Sequence, residues 1–343
     1  MTYSNELFRE MQTKFINAFN KNWSALMEEL FFQQAQFISG NRLRPYILFM
    51  GYLATKPNFK LDILEYDKIS KLSLCIELIH KSSLILDDLI DGDPARHGKC
   101  AFHTEHGSEN TMMFAVNLLS VSVQKMNQFI LESEEYVVLK DKGIGILTKI
   151  MYDMSLGELK ELNLNETDRY NYEKIKEIIE LETSPLISNS ILLGYYAGNG
   201  NNKKIEDTLL LIGYECGFIF QVMNDLEAFC QQEKLKQHKG RLNTDIVYGK
   251  KNIALTLLYN LISKQEKEAL ASMQSEDATN DLLIHYFKRY KINDSFSREV
   301  NSIYEKINEQ IDELESLGLC GDWCRLFHHF IHTIIQECKS RLI

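Results

Sequence analysis

Only four prolines, at positions 45, 57, 94 and 185, interrupt the 343 residues of this chain, and glycine is sparse at 17. Proline fixes φ and lacks the amide that a helix ladder requires, so long stretches without it leave helical periodicity unbroken. Apolar residues recur at spacings of three and four nearly throughout. Leu7, Met11, Phe15 and Phe19 form one such stripe within a helix expected over Ser4–Trp23. The same reading places helices over Tyr46–Thr55, entered from Pro45, and over Tyr66–Asp91. A Gly92–Lys99 loop and a short turn near Phe102–His106 follow. Helical patterns resume over Glu109–Ser133, Tyr136–Leu162, Tyr172–Ala197, Ile205–Glu233, Ile253–Ser272, Asp281–Tyr290 and Ser295–Leu317, with a last start near Asp322. No β alternation and no linker composition interrupts them. The expectation is one all-α domain over residues 1–343, a helical bundle around a central apolar cavity.

A formal charge of −10 argues against nucleic acid as a partner. No run approaches the roughly 18 apolar residues that span a bilayer, so no transmembrane segment is expected. The opening MTYSNELFREMQ lacks a signal-peptide core, and seven irregularly spaced cysteines read as reduced thiols, which together suggest a cytoplasmic protein. Cys320, Cys324, His328 and His332 recur every fourth residue, but such ligands drift around a helix and differ from common zinc spacings. They read as small buried thiols and interfacial histidines.

The chemistry concentrates in Leu84–Asp91, LILDDLID. Asp87 and Asp91 lie one helical turn apart on one face, beside Asp88, directly after the apolar run Leu74–Leu86. Acidic clusters are commonly solvated surface, yet a cluster following a core-like run is costly to desolvate without a cation. An all-oxygen set suits Mg²⁺, which keeps several waters and is completed by substrate phosphates. A second polar insertion, Phe218–Phe229, offers Asn224 and Asp225. Basic residues stand at Arg42 and Arg44, at Arg96 and Lys99, and at Arg241, Lys250 and Lys251, the last two reading equally well as surface charge. Arg44, beside Pro45 at a helix entry, suits bidentate phosphate contact.

Seven motifs in order make the chain resemble the trans-isoprenyl diphosphate synthases, or polyprenyl synthetases. Gly40–Pro45 is similar to GKRxRP, and Ile76–Asp91 to E-L-x-H-x-x-S-L-x-x-D-D-x-x-D. Arg96–Gly98 resembles R-R-G, Gly157–Glu161 G-Q-x-x-[DE], Glu182–Thr183 K-T, Phe220–Asp225 F-Q-x-x-D-D, and Gly240–Lys250 G-K-x-x-x-D-x-x-x-G-K. The resemblance implies the isoprenoid-synthase fold, Mg²⁺ dependence and a homodimer. It implies that Asp87, Asp88, Asp91 and Asp225 bind metal, and that Arg96 contacts an allylic prenyl diphosphate. Arg44 and His80 would hold the diphosphate of isopentenyl diphosphate, with Arg241 and Lys250 as further substrate contacts. Thr183 and Gln221 would line the space where the new bond forms, the catalytic set being Asp87, Asp88, Arg96, Thr183 and Gln221.

The chain also departs from those motifs. Asn41 and His97 replace two expected cations, Glu182 replaces the K-T lysine, Glu158 replaces a glutamine, and Asn224 and Ala228 replace two aspartates. The implied reaction is elongation of an allylic diphosphate by isopentenyl diphosphate. The alternatives are prenyl transfer to an aromatic or peptide acceptor, a terpene cyclase on the same fold, and a degenerate non-catalytic subunit. Ser82 and Ser83, five and four residues before Asp87, suggest room for a product of about C20 or longer in the resembling family, unless Met113 or Phe114 forms a floor or the serines merely serve helix packing.

Overall fold

Helix-forming periodicity is realised almost everywhere. A computed structural model describes residues 2–30, 40–56, 59–132, 134–165, 167–230, 251–273 and 276–340. Helix α1 (Thr2–Glu29) is followed by α2 (Leu43–Leu53) and the long α3 (Ile63–Asp91). A two-stranded hairpin, β1 (Ala95–Arg96) and β2 (Lys99–Cys100), precedes α4 (Phe102–His106), α5 (Ser108–Glu132) and α6 (Val137–Leu162). Next come α7 (Tyr172–Glu182), α8 (Ser184–Ala197) and α9 (Lys203–Cys230). The described chain ends with α10 (Ile253–Leu261), α11 (Lys264–Ala271), α12 (Glu276–Arg289), α13 (Ile292–Ser316) and α14 (Gly321–Ser340).

Three local features depart from the sequence reading. The helix expected over Tyr172–Ala197 breaks at Thr183, because Pro185 occupies the first turn of α8 and cannot donate to the preceding carbonyls. The segment expected over Ile253–Ser272 divides at Ile262–Ser263, where Ser263 and Glu266 form a capping box. Arg96–Lys99, read as loop, closes as a hairpin around His97 and Gly98, both at positive φ.

The core explains the packing order. Every residue of α8 is buried, so this helix is the axis against which the others pack. Helix α2 meets it at backbone contact: a Cβ on Gly51 would lie 1.9 Å from the Ile191 carbonyl oxygen, and one on Gly194 1.9 Å from that of Leu48. On the other side, a Cβ on Gly213 or Gly217 of α9 would lie 2.3 Å from the Ser188 Cα or 2.5 Å from the Ser184 Cα. Phe15 of α1 stacks on Phe49 of α2 at 4.5 Å, and buried Trp323 of α14 donates Nε1–H to the Met50 carbonyl at 2.9 Å. Residues 203–227 of α9 are long and apolar enough to cross a membrane by length and composition, which the sequence reading did not anticipate. Buried packing accounts for that apolarity, since 61% of the most apolar window lies inside the fold.

Helices α2, α8, α9 and α14 leave a small apolar recess, lined by Ile47, Ile191, Phe220, Phe327 and Ile334 among others. The recess begins beside Phe220, one residue before Gln221, and takes no lining from α3. An alanine at Gly51 or Gly194 must force α2 and α8 apart. Either substitution is expected to lower unfolding free energy by about 3 kcal/mol, measured by denaturant titration.

Candidate active site

Helix α3 carries both poles of the site. It starts with a capping box, Asp62 accepting from the Glu65 amide, and ends where Gly92 adopts φ 65°. His80 and Asp87 stand seven residues apart, about 10 Å along the axis. Cationic side chains gather around the first and carboxylates around the second.

At the cationic pole, Arg44 of α2 donates Nη1–H to His80 Nε2 at 3.0 Å. Burial holds the imidazole far below its ordinary pKa, and the charges of Arg44, Lys81, Arg96 and Arg42 push the same way. His80 is therefore the neutral acceptor, and Arg44 stays charged although burial lowers it to about 10. The Arg44 Nε is buried without a hydrogen-bond partner. Arg42 serves differently from Arg44. Its left-handed backbone, φ 53°, turns it inward, where it bonds Glu77 at 2.7 Å and lies over Phe19 and Trp23 at 5.3 and 5.2 Å. Buried Lys81 lies 3.7 Å from the same Glu77. Asn41 is exposed.

At the acidic pole, Asp87 and Asp91 are half-buried, one turn apart as expected. Burial pushes Asp87 up to about 7; Arg96 and Lys251 oppose the shift, and Glu158 and Asp91 reinforce it. Asp88, expected with them as a metal ligand, is buried and pairs with Arg96, whose Nη2 lies 2.7 Å from Oδ1 and whose Nε donates at 2.7–2.8 Å. The hairpin makes this possible by folding Arg96 back over the end of α3. Exposed His97 occupies the turn itself.

The break before α8 gives Thr183 its orientation. Thr183 donates Oγ–H to Gln221 Oε1 at 3.1 Å, and Gln221 Nε2 donates to Asp225 Oδ1 at 2.7 Å. Asp225 Oδ2 accepts the Ile253 amide at 2.7 Å, so this expected metal ligand is engaged in tying α9 to the start of α10. Asn224 beside it is exposed. Arg241 and Lys250 lie outside the described residues.

Motif reading missed one constellation. Glu158 and Glu161 of α6 and Glu182 of α7 bring carboxylate oxygens within 4.8 Å of one another. Lys251 inserts its ammonium between Glu161 and Glu182, and its backbone amide donates to Glu161 at 3.1 Å. Burial alone would lower the Lys251 pKa, but the two glutamates raise it well above the ordinary lysine value. Burial pushes Glu182 up to about 8 against the pull of Lys251. The i, i+3 spacing of Glu158 and Glu161 was a usable signal. Glu182 and Lys251 arrive from other elements.

The donor set suits a hard divalent cation: Asp87 and Asp91 supply oxygen only, on one face, and their mutual repulsion is relieved by positive charge. A cation bound there would, with the cationic pole about 10 Å away, give two positively charged stations along one helix.

Comparison with known proteins identifies the family and the fold. The sequence model of the family described as polyprenyl synthetase matches residues 27–289. Heptaprenyl diphosphate synthase component 2 of Bacillus subtilis (strain 168) is 28% identical over 71% of this chain, and the match spans 64% of that protein, less than two thirds of its length. Short chain isoprenyl diphosphate synthase of Methanocaldococcus jannaschii is 24% identical over 71% of this chain and 70% of its own. Among solved structures, a geranylgeranyl pyrophosphate synthase superposes with TM-score 0.77 at 16% identity, covering 96% of this chain and 98% of that one. A polyprenyl synthase from Caulobacter crescentus CB15, complexed with calcium and isoprenyl diphosphate, gives 0.73 at 18% identity, covering 97% and 96%. These structures share the all-α fold.

The neutral His80 gives a pH signature. Its folded pKa is depressed, so its contribution is full above the unfolded value of 6.5 and declines as pH falls below it, where the unfolded chain takes a proton the folded state refuses. Asp87, with a raised pKa, acts in the opposite sense over much of this window. The difference between wild type and His80→Gln isolates the imidazole. The variant keeps an acceptor for Arg44 and is expected to lose less stability between pH 7 and 5, measured by thermal melting.

Proposed function

This chain belongs to the polyprenyl synthetase family, and we propose that it is a Mg²⁺-dependent prenyltransferase that elongates an allylic prenyl diphosphate with isopentenyl diphosphate. The observation that carries the acceptor assignment is the Arg44 pole: a buried guanidinium with an unpartnered Nε, next to a neutral histidine and Lys81, favours an anionic head group. A hydrocarbon or phenolic acceptor has no use for that charge. The Caulobacter relative bound to calcium and isoprenyl diphosphate supports a divalent cation at the acidic pole.

Asp87 and Asp91 would hold Mg²⁺, which supplies neutralisation of the departing diphosphate when bound. Arg96, fixed by Asp88, presents its guanidinium to that diphosphate. Arg44 and His80 hold the second diphosphate, placing the acceptor double bond toward the allylic carbon. The allylic C–O bond breaks with its electron pair leaving on diphosphate. The acceptor alkene forms the new C–C bond, and a proton passes to a diphosphate oxygen. Thr183 and Gln221, bonded to each other, with Gln221 also bonded to Asp225, border this space with Phe220, and exclusion of water there protects the cation. Arg241 and Lys250 complete the substrate contacts. The working unit is a single domain that pairs with a second copy through exposed Met112, Met113 and Val116 of α5 and Tyr152 and Leu159 of α6.

Product length is set near α3. Ser82 is buried with its hydroxyl on the Ala115 carbonyl at 2.9 Å, while half-buried Ser83 bonds the His80 carbonyl at 3.0 Å. Met113 is 67% exposed, and Phe114 stacks on Phe102 at 5.0 Å. The small serines are the basis for proposing a product of about C20 or longer, and Ser83→Phe is expected to shorten it, as read by chromatography of the dephosphorylated products.

Labelled allylic diphosphate with Mg²⁺ should give a longer diphosphate only when isopentenyl diphosphate is added. A hydrocarbon or alcohol formed without it would replace this reading with a cyclase. Asp87→Asn should lower turnover by about 10²–10³-fold, while its melting temperature holds or rises because a desolvated, repelled charge is removed.

A further inference from the structure

The wall facing Asp87 is the least expected part of the molecule. Glu158, Glu161 and Glu182 converge within 4.8 Å, and the field of Glu158 reaches Asp87. A diphosphate settling at Asp87 and Asp91 therefore meets carboxylates on two sides. Lys251 is the ammonium that the structure places inside this wall, and its charge also reaches Asp87. An ammonium has three N–H donors, of which Glu161 and Glu182 take two. The third is fixed in direction, because both glutamates and the backbone amide bond to Glu161 pin the residue.

We infer that Lys251 is a diphosphate-contacting residue, presenting its remaining N–H to the metal-bound diphosphate from the Glu161–Glu182 clamp. The inference rests on the proposed use of the acidic pole for a diphosphate. It accounts for Glu182, whose carboxylate stands where the motif of Glu182–Thr183 ordinarily has a lysine: the positive charge comes instead from the start of α10, and Glu182 serves as half of its holder.

The competing role is purely structural, Lys251 neutralising two half-buried carboxylates. Three proteins separate the two: wild type, Lys251→Met and Glu182→Gln/Lys251→Met. Each is examined by calorimetric titration with inorganic pyrophosphate, with and without Mg²⁺, and by thermal melting. Lys251→Met is expected to weaken Mg²⁺-dependent pyrophosphate binding about 10- to 100-fold, the loss of one charge-assisted hydrogen bond. Glu182→Gln/Lys251→Met, relieved of one unpaired carboxylate, should recover melting temperature while its binding stays weak. Binding that recovers together with the melting temperature, or that never fell in Lys251→Met, overturns the inference, as does wild type that binds no pyrophosphate with Mg²⁺. If pyrophosphate binding follows the expected pattern but allylic diphosphates are not turned over, the proposed reaction fails and the Lys251 contact stands.

Discussion

Uncompensated charge held out of water is the constraint on which the site depends. Glu158, Glu161 and Glu182 converge with Lys251 held between two of them, the charges of Glu158 and Lys251 reach Asp87, and Asp88 and Arg96 neutralise each other. Two turns away along α3, Arg42, Arg44 and Lys81 gather around Glu77. Each pole carries an excess of one sign, and each excess opposes folding by itself. The buried apolar framework has to hold both, through α8 and the close approach of α2 against it at Gly51 and Gly194.

That opposition gives the rest of the architecture a reason. A helix bearing Arg44 cannot drift from one bearing His80 without losing the 3.0 Å bond that positions a desolvated guanidinium. Arg42, locked by Glu77 and two aromatic rings, fixes the entry to α2 two residues before Arg44. On the acidic side, the Arg96 hairpin and the Thr183–Gln221–Asp225 chain perform the same service for the groups around Asp87. Side chains that resemble ligands in sequence are thus divided in space: some face the site, and their immediate neighbours hold them there.

This division marks how far the sequence can be read. The helices were legible because a 3.6-residue period survives wherever proline and glycine are scarce, and Asp87 and Asp91 were legible because that period puts them on one face. The break at Thr183 was not, since apolar spacing continues through it and the single cue, Pro185, is also tolerated in a first turn. Asp88 and Asp225 could not be told from Asp87 by residue type. Only the hairpin that returns Arg96, and the α10 amide that reaches Asp225, show that their oxygens already have donors. Arg44 and His80, 36 residues apart, were joined by resemblance to a motif and not by any local pattern.

The departures from that motif make a coherent set once placed in space. Asn224, where an aspartate was expected, is exposed, whereas Glu158 and Glu182, where glutamine and lysine were expected, join Glu161 in one half-buried cluster. Relative to the motif, two positions near Asp225, Asn224 and Ala228, lose a carboxylate, and two positions at Glu158 and Glu182 gain one. A carboxylate replacing lysine beside another carboxylate is strongly disfavoured in isolation. The fold offsets it by bringing Lys251 between Glu161 and Glu182. Negative charge at the mouth is therefore redistributed from α9 toward α6 and α7, while a cation is retained on the same wall. The identity of the residues differs from the motif, but the wall still combines carboxylates with one fixed ammonium.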